Sequence, residues 1–183
     1  MKKLAMVIGA IGFALGTAGV FAQAPAAAVE LKVGDVAPAF SLPGTDGKTH
    51  TLSAYKGKTV VVAWYPKAFT GGCTAECKAF TSSGEAIKKF DVAYFMASVD
   101  DAETNKKFAE QEQANFPMLS DPTRKVAEAY GVVAAGSTRG ASRWTFYIGG
   151  DGKILYIDKA VNTASAGADL TTRLETLGVK KSK

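Results

Sequence analysis

The strongest constraint on this chain is the run "TVVVAW" at residues 59–64, where Val60, Val61, Val62, Ala63 and Trp64 follow one another without a polar break. Successive side chains of a strand point to opposite faces. A strand over residues 58–64 is therefore apolar on both faces, the pattern of a strand buried inside a sheet. Gly57 and Pro66 bound it.

The rest of the chain supplies cover for such a sheet. Residues 33–52, "VGDVAPAFSLPGTDGKTHTL", alternate short apolar pieces with Pro, Gly and Asp, predicting an extended segment and a hairpin around Asp46-Gly47. Residues 74–89 carry Cys77, Phe80 and Ile87 at helical spacings. Residues 92–99 read as a second buried strand, and residues 102–113 as a polar helix carrying Phe108. A short strand at 117–120 precedes a helix that Asp121 caps, with Pro122 at its first position and Gly131 at its end. Residues 144–148 and 154–157 flank "GGDGK", a hairpin signal, and residues 167–177 close the chain as a helix. Alternating strands and helices followed by a hairpin and a helix predict a three-layer α/β fold with a central mixed sheet.

The chain has 183 residues, enough for one domain with a core that needs no staples, so Cys73 and Cys77 are not required to hold a small fold together. Residues 1–22 read as a signal peptide. "MKK" is a positive start, residues 4–21 are apolar and uncharged, and "VFAQAPAAA" offers small residues for cleavage after Ala22. Residues 23–30 read as a flexible tether, 31–178 as the domain, and 179–183 as a basic tail. No cysteine lies near the leader's end to carry a lipid, and nothing after residue 24 is long and apolar enough to span a bilayer. A periplasmic or otherwise exported protein is expected, without stable membrane insertion once the leader is removed. The formal charge of +5 falls to about +3 without Lys2 and Lys3, and no basic block interleaves with aromatics. Nucleic-acid binding needs a concentrated positive face and is not expected.

Both cysteines lie in "YPKAFTGGCTAECKAF", residues 65–80. If a helix begins just after Cys73, the thiol sits where unpaired backbone N–H groups and the helix dipole favour its thiolate, the nucleophilic form. Gly71 and Gly72 let the backbone wrap closely round the sulfur, Thr70 places a hydroxyl on the same loop, and Pro66 presents an apolar wall. The setting is the carboxyl edge of a sheet, where sites form. Cys77 lies one turn on. Positions i and i+4 hold their Cβ atoms about 5–6 Å apart, whereas a disulfide wants about 3.8 Å. A Cys73–Cys77 bond therefore requires the first turn to loosen, which argues against a static staple and allows a bond made during turnover. Packing of Cys77 as a small apolar residue is the alternative.

The segment "PKAFTGGC", Pro66-x-x-x-Thr70-x-x-Cys73, resembles the active-site signature of the peroxiredoxins, the thiol peroxidases of the thioredoxin-like fold. The resemblance extends over about residues 31–178. It takes in "VGDVAPAFSLPGTDGKTHTLSAYKGK", "TVVVAWYPK", "FPMLSD" and "SRWTFYIGGDGKI", and is nearest the bacterioferritin comigratory protein or peroxiredoxin Q branch. It implies that Cys73 attacks the peroxide O–O bond and becomes a sulfenic acid. It further implies that Thr70 hydrogen-bonds thiolate and peroxide, that Pro66 shields the pocket, and that Arg143 stabilises the thiolate and the developing charge. In the implied cycle the sulfenic acid condenses with Cys77 or an external thiol, and a thioredoxin-type dithiol restores the pair. Hydrogen peroxide and organic hydroperoxides are the implied substrates, no metal, haem or flavin is needed, and a monomer is expected. Two departures stand out. The branch's second cysteine usually lies five residues after the first, where here it lies four after. Trp144 follows Arg143 where a small polar residue is expected, which predicts a more apolar pocket.

Two rival chemistries are weaker. A copper-delivery protein of the Sco type also carries C-x-x-x-C, as "CTAEC" does, but needs a downstream histidine. The one histidine, His50, lies upstream and reads as an exposed turn residue. A thioredoxin-like thiol–disulfide oxidoreductase would want C-x-x-C.

Overall fold

The computed structural model describes residues 30–182. The expected leader and almost all of the expected tether lie outside these residues. Two short antiparallel strands, β1 (Ser41–Pro43) and β2 (Thr49–Thr51), form the predicted hairpin and lead into a 3-10 turn. There follow β3 (Thr59–Trp64), α1 (Gly71–Ile87), β4 (Val92–Ser98), α2 (Ala102–Gln111), β5 (Met118–Ser120), α3 (Lys125–Ala129), β6 (Thr145–Ile148), β7 (Ile154–Asp158) and α4 (Ala166–Thr176). The main sheet has the order β5-β4-β3-β6-β7, with β3, β4 and β5 parallel and β6 and β7 antiparallel to their neighbours. This is the expected mixed sheet between layers.

The apolar run sits at its centre, and its alternation builds both cores. Val61, Ala63 and Tyr65 face one way, into a cluster with Phe80 and Ile87 of α1, Phe108 of α2, and Leu170 and Leu174 of α4. Val60, Val62 and Trp64 face the other way, toward Phe95, Phe146, Tyr130 and the N-terminal residues Phe40 and Leu42. The C-terminal residues close over the start of β4: Asp91 donates its amide to the Lys180 carbonyl, and the Ser182 amide donates to that of Lys89.

Two expectations are corrected. The helix predicted from Pro122 begins only at Lys125, after Arg124 in a left-handed conformation with φ 64°. Asp121 and Pro122 form a turn instead, in which the Arg124 amide donates to the Asp121 carbonyl. Asp121 still serves the helix, since its carboxylate accepts from the Ala127 amide at 2.8 Å, but it does so from outside. His50 is buried rather than exposed. Its Nδ1 lies 2.6 Å from the Tyr55 hydroxyl and its Nε2 3.0 Å from Asp46 Oδ1. Gly44 permits this, because a Cβ there would lie 2.7 Å from the imidazole ring.

Helix α1 is the weak member of the set. Its sequence, "GGCTAECKAFTSSGEAI", holds three glycines, two threonines and two serines. These are poorer helix formers than Ala or Leu, so tertiary packing must hold it. Its largest support is α4: Gly167 lies so close that a methyl group there would collide with the Ala79 carbonyl and the Ser83 hydroxyl. Gly167→Ala is expected to destabilise the fold by roughly 1–3 kcal/mol, the usual cost of overpacking. Urea unfolding checks this as a lower midpoint with an unchanged slope.

Candidate active site

The site lies where β3 hands over to α1. Tyr65, the residue after β3, is fully buried, and its hydroxyl donates to Asn105 Oδ1 of α2 at 2.7 Å. Asn105 in turn donates to Ser98 and Ser120 hydroxyls at the ends of β4 and β5. The Ala68 amide donates to the Asp100 carboxylate at 2.8 Å. These bonds fasten the Pro66–Thr70 loop to the carboxyl edge of the parallel strands. Phe69 follows with φ 61°, is 48% exposed, and sets its ring edge-on to Phe108 at 5.3 Å.

Thr70 is the N-cap of α1, which starts at Gly71 rather than at the expected Thr74. Cys73 is thus the third helical residue, within the first turn whose amides lack intrahelical partners. Its side chain is fully buried. Arg143, which enters from the loop before β6, donates from Nη2 to Cys73 Sγ at 3.4 Å. The guanidinium lies over Gly72, where a Cβ would stand only 3.2 Å from Nη2. Gly140, three residues before Arg143, packs so tightly on Pro66 that a side chain there would collide with the Pro66 carbonyl. Pro66, Cys73 and Arg143 are therefore brought together by direct contacts between three chain segments. The Thr70 hydroxyl donates to the Lys67 carbonyl at 2.9 Å and makes no cap bond.

Trp144 does not line this pocket. Trp144, just before β6, packs with Phe146 in the cluster on the sheet face opposite to that of Cys73 and Tyr147. The expected apolar contribution from Trp144 is corrected on that ground.

Glu76 is a site residue that sequence reasoning missed. It is fully buried, and its Oε2 accepts from Arg143 Nη1, while Oε1 has no partner among the described residues. A charged residue between two cysteines on an otherwise apolar helix face was the available signal. Burial pushes the Glu76 carboxyl up to about 7, against the opposing pull of Arg143. Cys77 is also fully buried and unbonded to Cys73. Burial, reinforced by the nearby Glu112 and Glu76 carboxylates, pushes its thiol up to about 12. The two thiols are thus chemically unequal: one receives a guanidinium proton donor, the other faces carboxylates.

The arrangement can hold a thiolate and the negative charge that develops when it attacks. Among the described residues, no group of three or more His, Cys, Asp or Glu side chains is placed to hold a metal ion. Both ring nitrogens of His50 are engaged, one by Asp46 of the hairpin and one by Tyr55 of the 3-10 turn that follows it.

Residues 33–157 match the family model described as the AhpC/TSA family. The chain is 39% identical over 132 residues to peroxiredoxin Bcp of Escherichia coli K12, covering 69% of this chain and 85% of that protein. Among solved structures it resembles peroxidoxin BcpB from Mycobacterium tuberculosis, with TM-score 0.72 and 32% identity over 81% of this chain and 97% of that one. It shares the fold of the Xanthomonas campestris bacterioferritin comigratory protein with TM-score 0.69 and 24% identity, over 75% of this chain and 90% of that one.

Glu76 makes stability depend on pH in a defined direction. Between the ordinary carboxyl range and about pH 7, the folded protein keeps a proton on Glu76 that the unfolded chain has released. Stability contributed by this group is therefore present at low pH and lost as pH rises through that window. Relative to Glu76→Gln, which cannot ionise, the wild-type melting temperature should fall as pH is raised from about 5 to about 7. Thermal scans of both proteins across that range measure the difference.

Proposed function

We infer that the chain, which belongs to the AhpC/TSA family, acts as a thiol-dependent peroxidase of the peroxiredoxin type. From that premise we propose that Cys73 is the peroxidatic residue, Cys77 the resolving one, and a thioredoxin-type dithiol the reductant. The observation that carries the reading is the Arg143 bond to a buried sulfur in the first turn of α1.

The Cys73 thiolate attacks one peroxide oxygen, forming an S–O bond as the O–O bond breaks, and the departing alkoxide or hydroxide takes up a proton. Arg143 and the first-turn amides of α1 lie where negative charge passes from sulfur to oxygen. Donors aimed at developing charge are worth most in a site that excludes water. Thr70 and Pro66 are assigned to positioning and shielding the peroxide, Thr70 by turning its hydroxyl from the Lys67 carbonyl toward the incoming oxygens. Exposed Phe69 gives the loop an apolar edge, which suits organic hydroperoxides as well as hydrogen peroxide.

The Cys73 sulfenic acid then condenses with the Cys77 thiol. The S–S bond forms, the S–O bond breaks, and water leaves. Helical i, i+4 geometry forbids this while α1 stays wound, and the raised Cys77 thiol disfavours the attacking thiolate there. Resolution thus proceeds through local unwinding. Two-electron exchange with an external dithiol restores both thiols. The short positive start and apolar stretch of residues 1–22 support export and antioxidant work outside the cytoplasm.

Cys73→Ser should abolish peroxide consumption; consumption at the wild-type rate would overturn the reading. Cys77→Ser should complete one turnover and then recycle poorly with a thioredoxin-type donor. After one equivalent of peroxide, peptide mass spectrometry of the wild type should show loss of two hydrogens across Cys73 and Cys77. A stable oxygen adduct on Cys73 would instead indicate a one-cysteine cycle. Arg143→Gln should slow Cys73 oxidation by about 10²-fold or more, the usual cost of removing one such donor, read by stopped-flow fluorescence.

A further inference from the structure

Thr74 and Lys78 follow directly after Cys73 and Cys77 and, like them, are spaced four apart on α1. Both reach one carboxylate, that of Glu112, the C-cap of α2. Thr74 Oγ1 donates to Glu112 Oε1 at 3.3 Å, and Lys78 Nζ lies 3.6 Å from Oε2. Gln111 Nε2 also donates to Oε1 at 2.9 Å. The Glu112 side chain is only 4% exposed, whereas that of Lys78 is 67% exposed. A carboxylate so deeply placed needs its partners, and two of them come from the turns that must open for a Cys73–Cys77 bond.

We infer that Glu112 is a latch, a positioning residue that holds the first two turns of α1 wound and so sets how fast Cys77 reaches oxidised Cys73. The inference rests on the two-cysteine cycle proposed above. The segment depends on such a latch because its own helical bonds are weak. Gly71 and Gly72 open the helix, and the Thr81 and Ser82 hydroxyls back-bond to the Cys77 and Lys78 carbonyls at 2.9 Å, a pattern that loosens and bends helices. Beyond Lys78 the helix is held independently, because Gly167 of α4 packs against Ala79 and Ser83. Unwinding is thereby confined to residues 71–78. The Glu112 charge is also the leading electrostatic influence, after burial, that keeps Cys77 protonated. Loss of the Glu112 charge removes the mechanical and the electrostatic obstacle together, whereas loss of Lys78 releases only the mechanical one.

Glu112→Gln and Lys78→Gln, the latter at an exposed position that leaves packing intact, test this with two readouts. In the reduced protein, amide hydrogen exchange should become about three- to tenfold faster at residues 74–78 in both variants, the factor expected for one net hydrogen bond or ion pair. Exchange at residues 80–87 should not change. After a single equivalent of hydrogen peroxide, disulfide formation should accelerate by a similar factor relative to the preceding Cys73 oxidation phase. The peroxide concentration that converts Cys73 to sulfinic acid should rise in proportion, since resolution competes with that second oxidation. Unaltered exchange at 74–78, or exchange accelerated equally along the whole helix, would overturn the latch. So would a disulfide phase no faster than wild type. A wild type that forms no Cys73–Cys77 disulfide would overturn the two-cysteine cycle, and the latch's role in it, while the exchange result would still show whether Glu112 holds the turn.

Discussion

A carboxyl group with no access to water either gives up its charge or keeps a cation beside it, and Glu76 is in that position. Its partner Arg143 comes from a different part of the chain, the loop before β6, and donates to Glu76 with one guanidinium nitrogen and to Cys73 with the other. One side chain thus ties α1 to the sheet and places a permanent positive charge on the sulfur. The planar fork of arginine makes both contacts at once, which the single ammonium of lysine could not reproduce. Gly72 and Gly140 are the clearances this needs: one admits the guanidinium above the helix start, and the other brings the Arg143 loop onto Pro66.

Around that tie, α2 acts as the frame. Asn105 holds Tyr65, Phe108 supports Phe69, and Glu112 holds Thr74 and Lys78. Three residues spaced along a mostly polar helix thereby fasten the end of β3, the loop and the first turns of α1 in succession. The buried polar bonds among Tyr65, Asn105, Ser98 and Ser120 give the loop one geometry, since any other would leave a buried donor or acceptor unpaired.

The two thiols follow from this asymmetry. Cys73 receives the Arg143 guanidinium directly, whereas Cys77, one turn further on, feels the Glu112 and Glu76 carboxylates. Helix α1 accordingly has two regimes. Its later turns are clamped by the close approach of Gly167, while its first turns, opened by two glycines, are held by side-chain contacts. A cysteine pair at i and i+4 suits that division, because the disulfide proposed for it would belong to the unwound state and not to the wound one.

Local sequence alone dictates the central strand, the alternation that gives the sheet two buried faces, the order of elements, and the loop and helix start that carry Pro66, Thr70 and Cys73. These follow from local periodicity and from turn residues, which act over a few positions. It could not place Glu76, Asn105 or Glu112, whose meaning lies in partners at |i−j| of 67, 40 and 38. His50 looked like a surface residue because its neighbours are turn formers; its burial depends on Phe95, which only the folded sheet brings under it. Trp144 looked like a pocket residue because it follows Arg143, yet strand alternation sends it to the other face. The helix after Asp121 likewise starts late, since the carboxylate that was to cap it reaches Ala127 across a turn. Strand, helix and turn chemistry are written locally, whereas a buried charge acquires its role only when tertiary packing chooses its partner.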